Sequence, residues 1–354
     1  MMHMTASFQE VLERDGYILG DGGTGTALGV LWPKPFKLPL WSAPLNLTAQ
    51  GRNAVRQAHN LYIAVGATQH ATNTFRTTPE AFREAGVECT KAVRLAYDAT
   101  NHAIEALQTA ALTSSRPIIL GGCIAPLKDC YDPSAVPPDQ KLADNHGRQV
   151  AWFKQAGINT ILFETVNSIR EAVRMKEAAE TAGVDFTMSW VASPNGNLLS
   201  GESIADAVRA TDSDRRVAVA INCSPLDHTF NAFNNLQRSG YDGIIGAYPN
   251  GPGKPDLNGA DWDHGRIVRP DRLLTLSGNI DFINAAVGLR KEGASWVGGC
   301  CGTLPGDIRA LKTALEHPAF NAAKAEVAAH THRASPFRGN RCGCSASLSG
   351  MVCD

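Results

Sequence analysis

Eight short, nearly continuous apolar runs punctuate this chain. They are Tyr17–Asp21, Ala67–Thr72, Pro117–Gly121, Thr160–Glu164, Phe186–Ala192, Val217–Cys223, Gly243–Tyr248 and Ser295–Gly299, and most are followed by a stretch with helical spacing. Runs that are apolar on both faces belong to parallel strands covered on both sides, and parallel neighbours need a crossover helix between them. Eight such strand–helix units in 354 residues fit a single (β/α)8 barrel of the usual size.

Several helix starts support that period. Ser168-Ile169-Arg170-Glu171 has the form of a capping box, with Ile169, Ala172 and Val173 falling on one face. Ser203 to Asp206 opens another helix in a similar way, and Thr78-Pro79 places proline where a first turn tolerates it. After Tyr248 the period loosens. Asn250 to Pro255 reads as a loop, which Asp256 to Arg269 extends over the barrel mouth. The last helix is expected from about Pro305 to about Ala329. The barrel domain therefore takes residues 1–329, and residues 330–354, polar and rich in Ser, Gly, Arg and Cys, form a flexible tail outside it.

A barrel of this kind gathers the C-terminal ends of its strands on one face, where chemistry sits. Here those ends carry Asp21-Gly22-Gly23-Thr24-Gly25-Thr26, Thr72-Asn73-Thr74-Phe75, Gly121-Gly122-Cys123, Glu164-Thr165, Asn222-Cys223, Tyr248-Pro249-Asn250 and Cys300-Cys301. Small, polar and metal-binding residue types recur at the same place in unit after unit. Cys300 and Cys301 lie in the glycine-rich turn Gly298-Gly299-Cys300-Cys301-Gly302, and Cys223 ends another buried strand. Three thiolates converging from two strand ends suit a catalytic zinc site with an open fourth position.

Composition decides how those thiols should be read. Nine cysteines are too few for a disulfide scaffold in a chain this long. The N-terminal stretch carries Glu10, Glu13, Arg14 and Asp15 and no apolar signal core, so a reducing, cytoplasmic setting is expected. A net charge of −1, from 33 basic and 34 acidic residues, leaves no footprint for nucleic acid or an anionic membrane. No apolar run is long enough to span a bilayer. The expected partners are small molecules, with a homo-oligomer left open.

These stretches together resemble the homocysteine S-methyltransferase family, whose members are zinc-dependent barrels that methylate a thiol. The matching pieces are Asp-Gly-Gly-Thr-Gly-Thr at 21–26, Leu-Trp-Ser-Ala at 40–43, Thr-Asn-Thr-Phe at 72–75, Phe-Glu-Thr at 163–165, Ile-Asn-Cys at 221–223 and Gly-Gly-Cys-Cys-Gly-Thr at 298–303. They run in order from about residue 10 to about residue 320. The last two, as a pair, are the specific part.

The resemblance implies Cys223, Cys300 and Cys301 as ligands of one Zn2+, acting on homocysteine to give methionine. It implies Asp21 and Glu164 as acceptors for the substrate ammonium group, with the backbone N–H groups of Gly22, Gly23 and Thr24 taking its carboxylate. Betaine-using members have tyrosine directly after the strand-four glutamate, where this chain has Thr165. That difference, together with the Leu40–Ala43 stretch and the lack of room for folate and cobalamin modules, favours a sulfonium donor, S-methylmethionine ahead of S-adenosylmethionine. Trp41, Phe75 and Tyr248 offer it aromatic faces. Betaine is the runner-up donor, and selenocysteine or another small thiol the runner-up acceptor. A zinc or thiol store without turnover is the rival outside catalysis.

Read singly, these residues have plainer roles. Asp21 could cap its turn, Glu164 could be ion-paired, Trp41 could pack under a loop, and Asn73 could be a satisfied polar residue beside the substrate site. His59, His70, His102 and His146 read as structural, Cys89 and Cys123 as core or near-core, and Cys130 as a loop residue. Cys342, Cys344 and Cys353 of the tail read as adventitious thiols rather than a second metal site with His330 or His332.

Overall fold

The computed structural model describes residues 5–32, 34–251, 273–274 and 279–317. The stretch Asp256–Arg269, the part of the expected last helix beyond residue 317 and the tail lie outside the described residues. The described residues up to 314 form one compact unit.

Eight parallel strands form one sheet in the order β1-β8-β7-β6-β5-β4-β3-β2. They are β1 (Ile18–Leu19), β2 (Gln69–Ala71), β3 (Ile119–Ile124), β4 (Thr160–Val166), β5 (Asp185–Trp190), β6 (Arg216–Asn222), β7 (Ile244–Tyr248) and β8 (Trp296–Val297). The ring closes between its end strands: Thr68 N–H donates to Leu19 O at 2.7 Å, Asp21 N–H donates to Gln69 O at 2.9 Å, and Gly20 bridges Gln69. Every run expected to be a strand overlaps one.

The crossovers hold helices α2 (Thr24–Leu31), α3 (Ala49–Ala64), α4 (Pro79–Glu84), α5 (Cys89–Ala111), α6 (Asp139–Gln155), α7 (Ile169–Ala182), α8 (Ile204–Ala210), α9 (Leu226–Gln237) and α10 (Ile280–Lys291), with α11 (Pro305–Glu316) after β8. A further helix, α1 (Phe8–Asp15), precedes β1 and carries a true capping box between Ser7 and Glu10. It closes the N-terminal end of the barrel: Phe8 stands edge-on to Trp296, ring centroids 5.1 Å apart. Inside the ring, Ile18, Ile119, Leu162, Ala218, Ala220 and Trp296 form a packed core rather than a pore. Among the described residues, no helix is long and apolar enough to cross a membrane.

Three readings of the sequence are corrected. Ser168 precedes α7 but makes no side-chain cap. The N–H of Ile169 donates to Glu202 at 2.8 Å, while Glu171 turns inward to accept from Leu127 N–H at 2.8 Å and to meet His146 at 2.9 Å. A buried partner outweighed the local cap. Strand β3 runs three residues beyond the expected end, so Cys123 sits within the strand, side chain in the barrel core. Cys89 is exposed at the start of α5, whereas Cys130, expected in a loop, is buried there. The helix starts at Thr78 and Ser203 are as read: each hydroxyl accepts from a backbone N–H three residues on, at 3.0 Å.

Candidate active site

The C-terminal strand ends open into one cavity of about 610 Å³. It is lined by Asp21 to Thr26, Trp41, Asn73, Phe75, Glu164, Thr165, Cys223, Tyr248, Cys300 and Cys301, among others. All ten residues expected in the site, Asp21, Gly22, Gly23, Thr24, Trp41, Asn73, Glu164, Cys223, Cys300 and Cys301, meet there.

The thiols come together through backbone pairing. Cys223 N–H donates to Tyr248 O at 3.2 Å, fixing the end of β6 against β7. Cys300 N–H donates to Pro249 O at 2.9 Å, and Gly299 N–H to Asp21 O at 3.1 Å, pinning the turn after β8 to both neighbours. Gly302 lies at φ +79°, a left-handed conformation that glycine adopts without strain, and this turns the chain directly after the two cysteines. The Sγ atoms of Cys223 and Cys301 are 3.4 Å apart, and all three sulfurs lie within 4.8 Å of one another. Zinc–sulfur bonds of about 2.3 Å at tetrahedral angles put sulfurs about 3.8 Å apart, so the trio fits one ion.

Their electrostatics say the same. Cys300 and Cys301 direct hydrogen bonds to Cys223 and hold its pKa well below the thiol range, and that pairing raises both partners well above it. Three clustered thiols by themselves release one proton readily. A divalent cation is what allows all three to ionise together. Tyr131 adds a hydroxyl 3.0 Å from Cys223 Sγ. No sequence reading singled it out, because it arrives from the loop after β3, 92 residues away.

Three non-glycine residues among those described have positive φ: Trp41 at 48°, Thr165 at 60° and Cys223 at 49°. All three line the cavity. Left-handed backbone is costly for side-chain-bearing residues, most of all β-branched threonine, and it collects where surroundings over-determine it. Asn222 supplies that determination at Thr165. Its Oδ1 accepts from Thr165 N–H at 2.9 Å and its Nδ2 donates to Thr165 Oγ1 at 3.1 Å. The Asn-Cys pair thus does two jobs, one residue supplying a thiol and the other locking β4 next to Glu164. The phenol beside the cysteines comes from Tyr131, while Thr165 is engaged with Asn222.

Below the thiols lie two carboxylates. Burial pushes Glu164 up to about 7, opposed by the bond from Cys123 Sγ at 3.3 Å and reinforced by the charge of Cys223. Burial likewise raises Asp21 well above the carboxylate range, against the Ala71 N–H bond at 3.0 Å, and the charge of Glu164 adds to the rise. Behind Asp21, His70 Nδ1 stands 3.9 Å from Asp21 Oδ2. His70 Nε2 faces Ala67 O at 3.1 Å, so the ring carries its proton there. Burial drives His70 down to about 4 and His59 down to about 3, so both are neutral. With Asp21 they form a second close cluster, which the sequence did not announce.

Two of the expected site residues have partners within the chain. The N–H of Gly23 donates to Thr303 Oγ1 at 3.0 Å, so in this arrangement it is already engaged. Both ends of the Asn73 amide are also used: Oδ1 accepts from Ser42 at 2.7 Å and Nδ2 donates to Asn46 at 3.0 Å. Asn73 ties the loop carrying Trp41 to the end of β2. Trp41 itself both packs and lines. A Cβ at Gly25 would come within 2.1 Å of the indole, so the ring lies directly on that glycine. Phe75 and Phe36 meet it edge-on at 5.9 and 6.2 Å.

The profile of the homocysteine S-methyltransferase family matches residues 18–315. Homocysteine S-methyltransferase 1 of Zea mays is 30% identical over 86% of this chain and 96% of its own length. Selenocysteine Se-methyltransferase of Brassica oleracea var. italica is 28% identical over 87% of this chain and 92% of its own. The metallated form of the homocysteine methyltransferase MmuM from Escherichia coli superposes with a TM-score of 0.68 at 21% identity, covering 87% of this chain and 99% of that one, which is a likeness of fold. Sequence match and barrel agree over nearly the same span, and the chain belongs to the homocysteine S-methyltransferase family.

Proposed function

We propose that the protein transfers a methyl group from a sulfonium donor to the thiol of L-homocysteine, giving methionine, with Zn2+ held by Cys223, Cys300 and Cys301. The observation that carries this reading is the convergence of three sulfurs on the cavity that also holds the carboxylates of Asp21 and Glu164. A thiol or metal store has no need of two acids beside its cysteines. An amino-acid substrate does, because its ammonium group requires charged acceptors once out of water.

The chemistry a zinc ion supplies at this site is Lewis acidity, which lowers the pKa of an incoming thiol so that sulfur attacks as a thiolate. The chain's own residues do the rest. Glu164 and Asp21 take the ammonium group, whose arrival favours their ionised forms and reverses the upward push of burial. The N–H groups of Gly22 and Thr24 take the carboxylate, with Gly23 held by Thr303 as a brace. Tyr131 steadies the Cys223 thiolate by hydrogen bonding. Trp41 and Phe75 form the wall against which the cationic donor lies. Holding sulfur and methyl in line is worth roughly 7–11 kcal/mol, the largest contribution asked of the protein.

Selenocysteine is a second acceptor reading. The Brassica oleracea relative carries that activity in its name, and a chalcogenol one methylene shorter meets the same three groups. The test is a matrix of acceptors and donors with zinc-loaded protein, read as methylated product. Methionine from homocysteine and S-methylmethionine is expected. Activity only with betaine, a methylated folate or a corrinoid overturns the donor assignment, and product only from selenocysteine overturns the acceptor.

A further inference from the structure

Four charged side chains that line the cavity, Arg76, Glu84, Lys128 and Asp129, are unused by the chemistry above, and Arg76 lies directly after Phe75. Its Nη1 donates to the carbonyl of Lys128 at 2.6 Å, and its guanidinium carbon stands 5.4 Å from the Phe75 ring centroid. Of the acids on this side, Asp129 accepts from Tyr131 N–H at 2.9 Å, and two others are committed to other cations. Glu80 takes Arg83, Lys128 and Lys141, and Glu84 takes Lys128. Among the described residues no carboxylate pairs with Arg76. A guanidinium carries five N–H donors in a planar fork, and one bond to a carbonyl leaves the fork open to a carboxylate.

Its position gives that open fork a meaning. Phe75 joins Arg76 to the aromatic wall, with Trp41 next along it at 5.9 Å. Aromatic faces attract an onium centre, and the neighbouring guanidinium attracts an anion. A small molecule lying along this wall satisfies both only if it carries positive and negative charge a few bonds apart. We propose that Arg76 binds the carboxylate of the methyl donor, an onium compound bearing its own acid group. This rests on the methyl-transfer reading and assigns the residue that reads the donor's acid end: S-methylmethionine, S-adenosylmethionine and betaine all carry that carboxylate, and a sulfonium without an acid group gains nothing from Arg76.

The test uses S-methylmethionine and its carboxamide, which differ only in the negative charge. Equilibrium binding of each to the zinc-loaded full-length protein, without homocysteine, is measured by calorimetry for the parent, Arg76→Gln and Arg76→Lys. The parent should prefer the acid by roughly 10- to 100-fold. Arg76→Gln should abolish that preference, and Arg76→Lys should keep part of it, with zinc content and homocysteine affinity unchanged in both. No preference in the parent, or a preference that survives in Arg76→Gln, overturns the assignment. If Arg76→Gln does not fold, the parent's preference and its reduction in Arg76→Lys decide. Turnover is scored separately. A parent that shows the Arg76-dependent preference yet forms no methionine disproves the activity and leaves the carboxylate site standing.

Discussion

The floor and the mouth of this cavity are built on different principles. The floor is made of strand ends. Asp21, Cys223 and Cys300 are held by main-chain hydrogen bonds to neighbouring strands and their ends, Glu164 sits beside Thr165, which Asn222 locks, and two of the three left-handed residues, Thr165 and Cys223, lie there. The mouth is made of loops, with Trp41, Phe75 and Arg76 packed edge to face and cation to ring. The floor sets thiols and carboxylates on positions fixed by the strands, which suits a thiol and an ammonium group that must sit in fixed places. The mouth is aromatic and cationic at one edge, which suits the onium donor of the proposed reaction. Substitutions in the floor should therefore destroy the reaction, and substitutions in the mouth should retune it.

The sharpest break is Cys300→Ser. Loss of one of three ligands should remove the metal and lower turnover below about 1% of the parent. Metal analysis of the purified variant checks it, and full activity in a demonstrably metal-free sample would sink the mechanism.

Glu164→Gln comes next. It should raise the KM for homocysteine roughly 10- to 100-fold while leaving zinc at one equivalent and the donor KM unaltered. Unchanged homocysteine saturation would show that the ammonium group lies elsewhere. The same variant separates a pH effect. Burial raises Glu164 to about 7 from its unperturbed 4.5. The folded state therefore holds a proton that the unfolded chain has lost. The stability contributed by its raised pKa is fully present below about 4.5 and is lost as pH rises through about 7. Binding runs the other way, since the ammonium group needs the ionised acid. Homocysteine affinity should rise from pH 6 to 8 more steeply in the parent than in Glu164→Gln, and parallel profiles would remove Glu164 from the site.

At the mouth the effects should be smaller and fall on the donor. Trp41→Ala should raise donor KM about 3- to 30-fold, the range for one desolvated cation–aromatic contact. Gly25→Ala reaches the same ring from below, because its Cβ would collide with the indole. It should reproduce the donor defect without touching zinc or homocysteine. A homocysteine defect of equal size in either variant would erase the distinction between mouth and floor. Truncation after Ala329 is the smallest change, expected to preserve zinc content and turnover, since the polar tail cannot bury much apolar surface. Loss of zinc would bring a tail cysteine into the site.

Much of this architecture is legible in the chain itself. Period and apolar continuity specify eight buried parallel strands, and a closed parallel barrel then has one face on which all strand ends meet. Knowing the ends is enough to collect Asp21, Glu164, Cys223, Cys300 and Cys301 before any coordinates exist, because backbone topology alone brings them together. Topology does not choose the partner of each polar atom. That the Gly23 N–H is taken by Thr303, that Asn73 braces the Trp41 loop, that Glu171 turns in to His146 rather than capping α7, and that Tyr131 reaches Cys223 from 92 residues away are decided by packing. So is the solitary state of Arg76 among the described acids, since its neighbours Glu80 and Glu84 are claimed by other cations. The physical reason is one of range. Strand order follows from hydrophobic burial summed over many residues and survives local errors. A hydrogen bond or an ion pair depends on a few tenths of an ångström between groups far apart in sequence, and only the folded chain sets that distance.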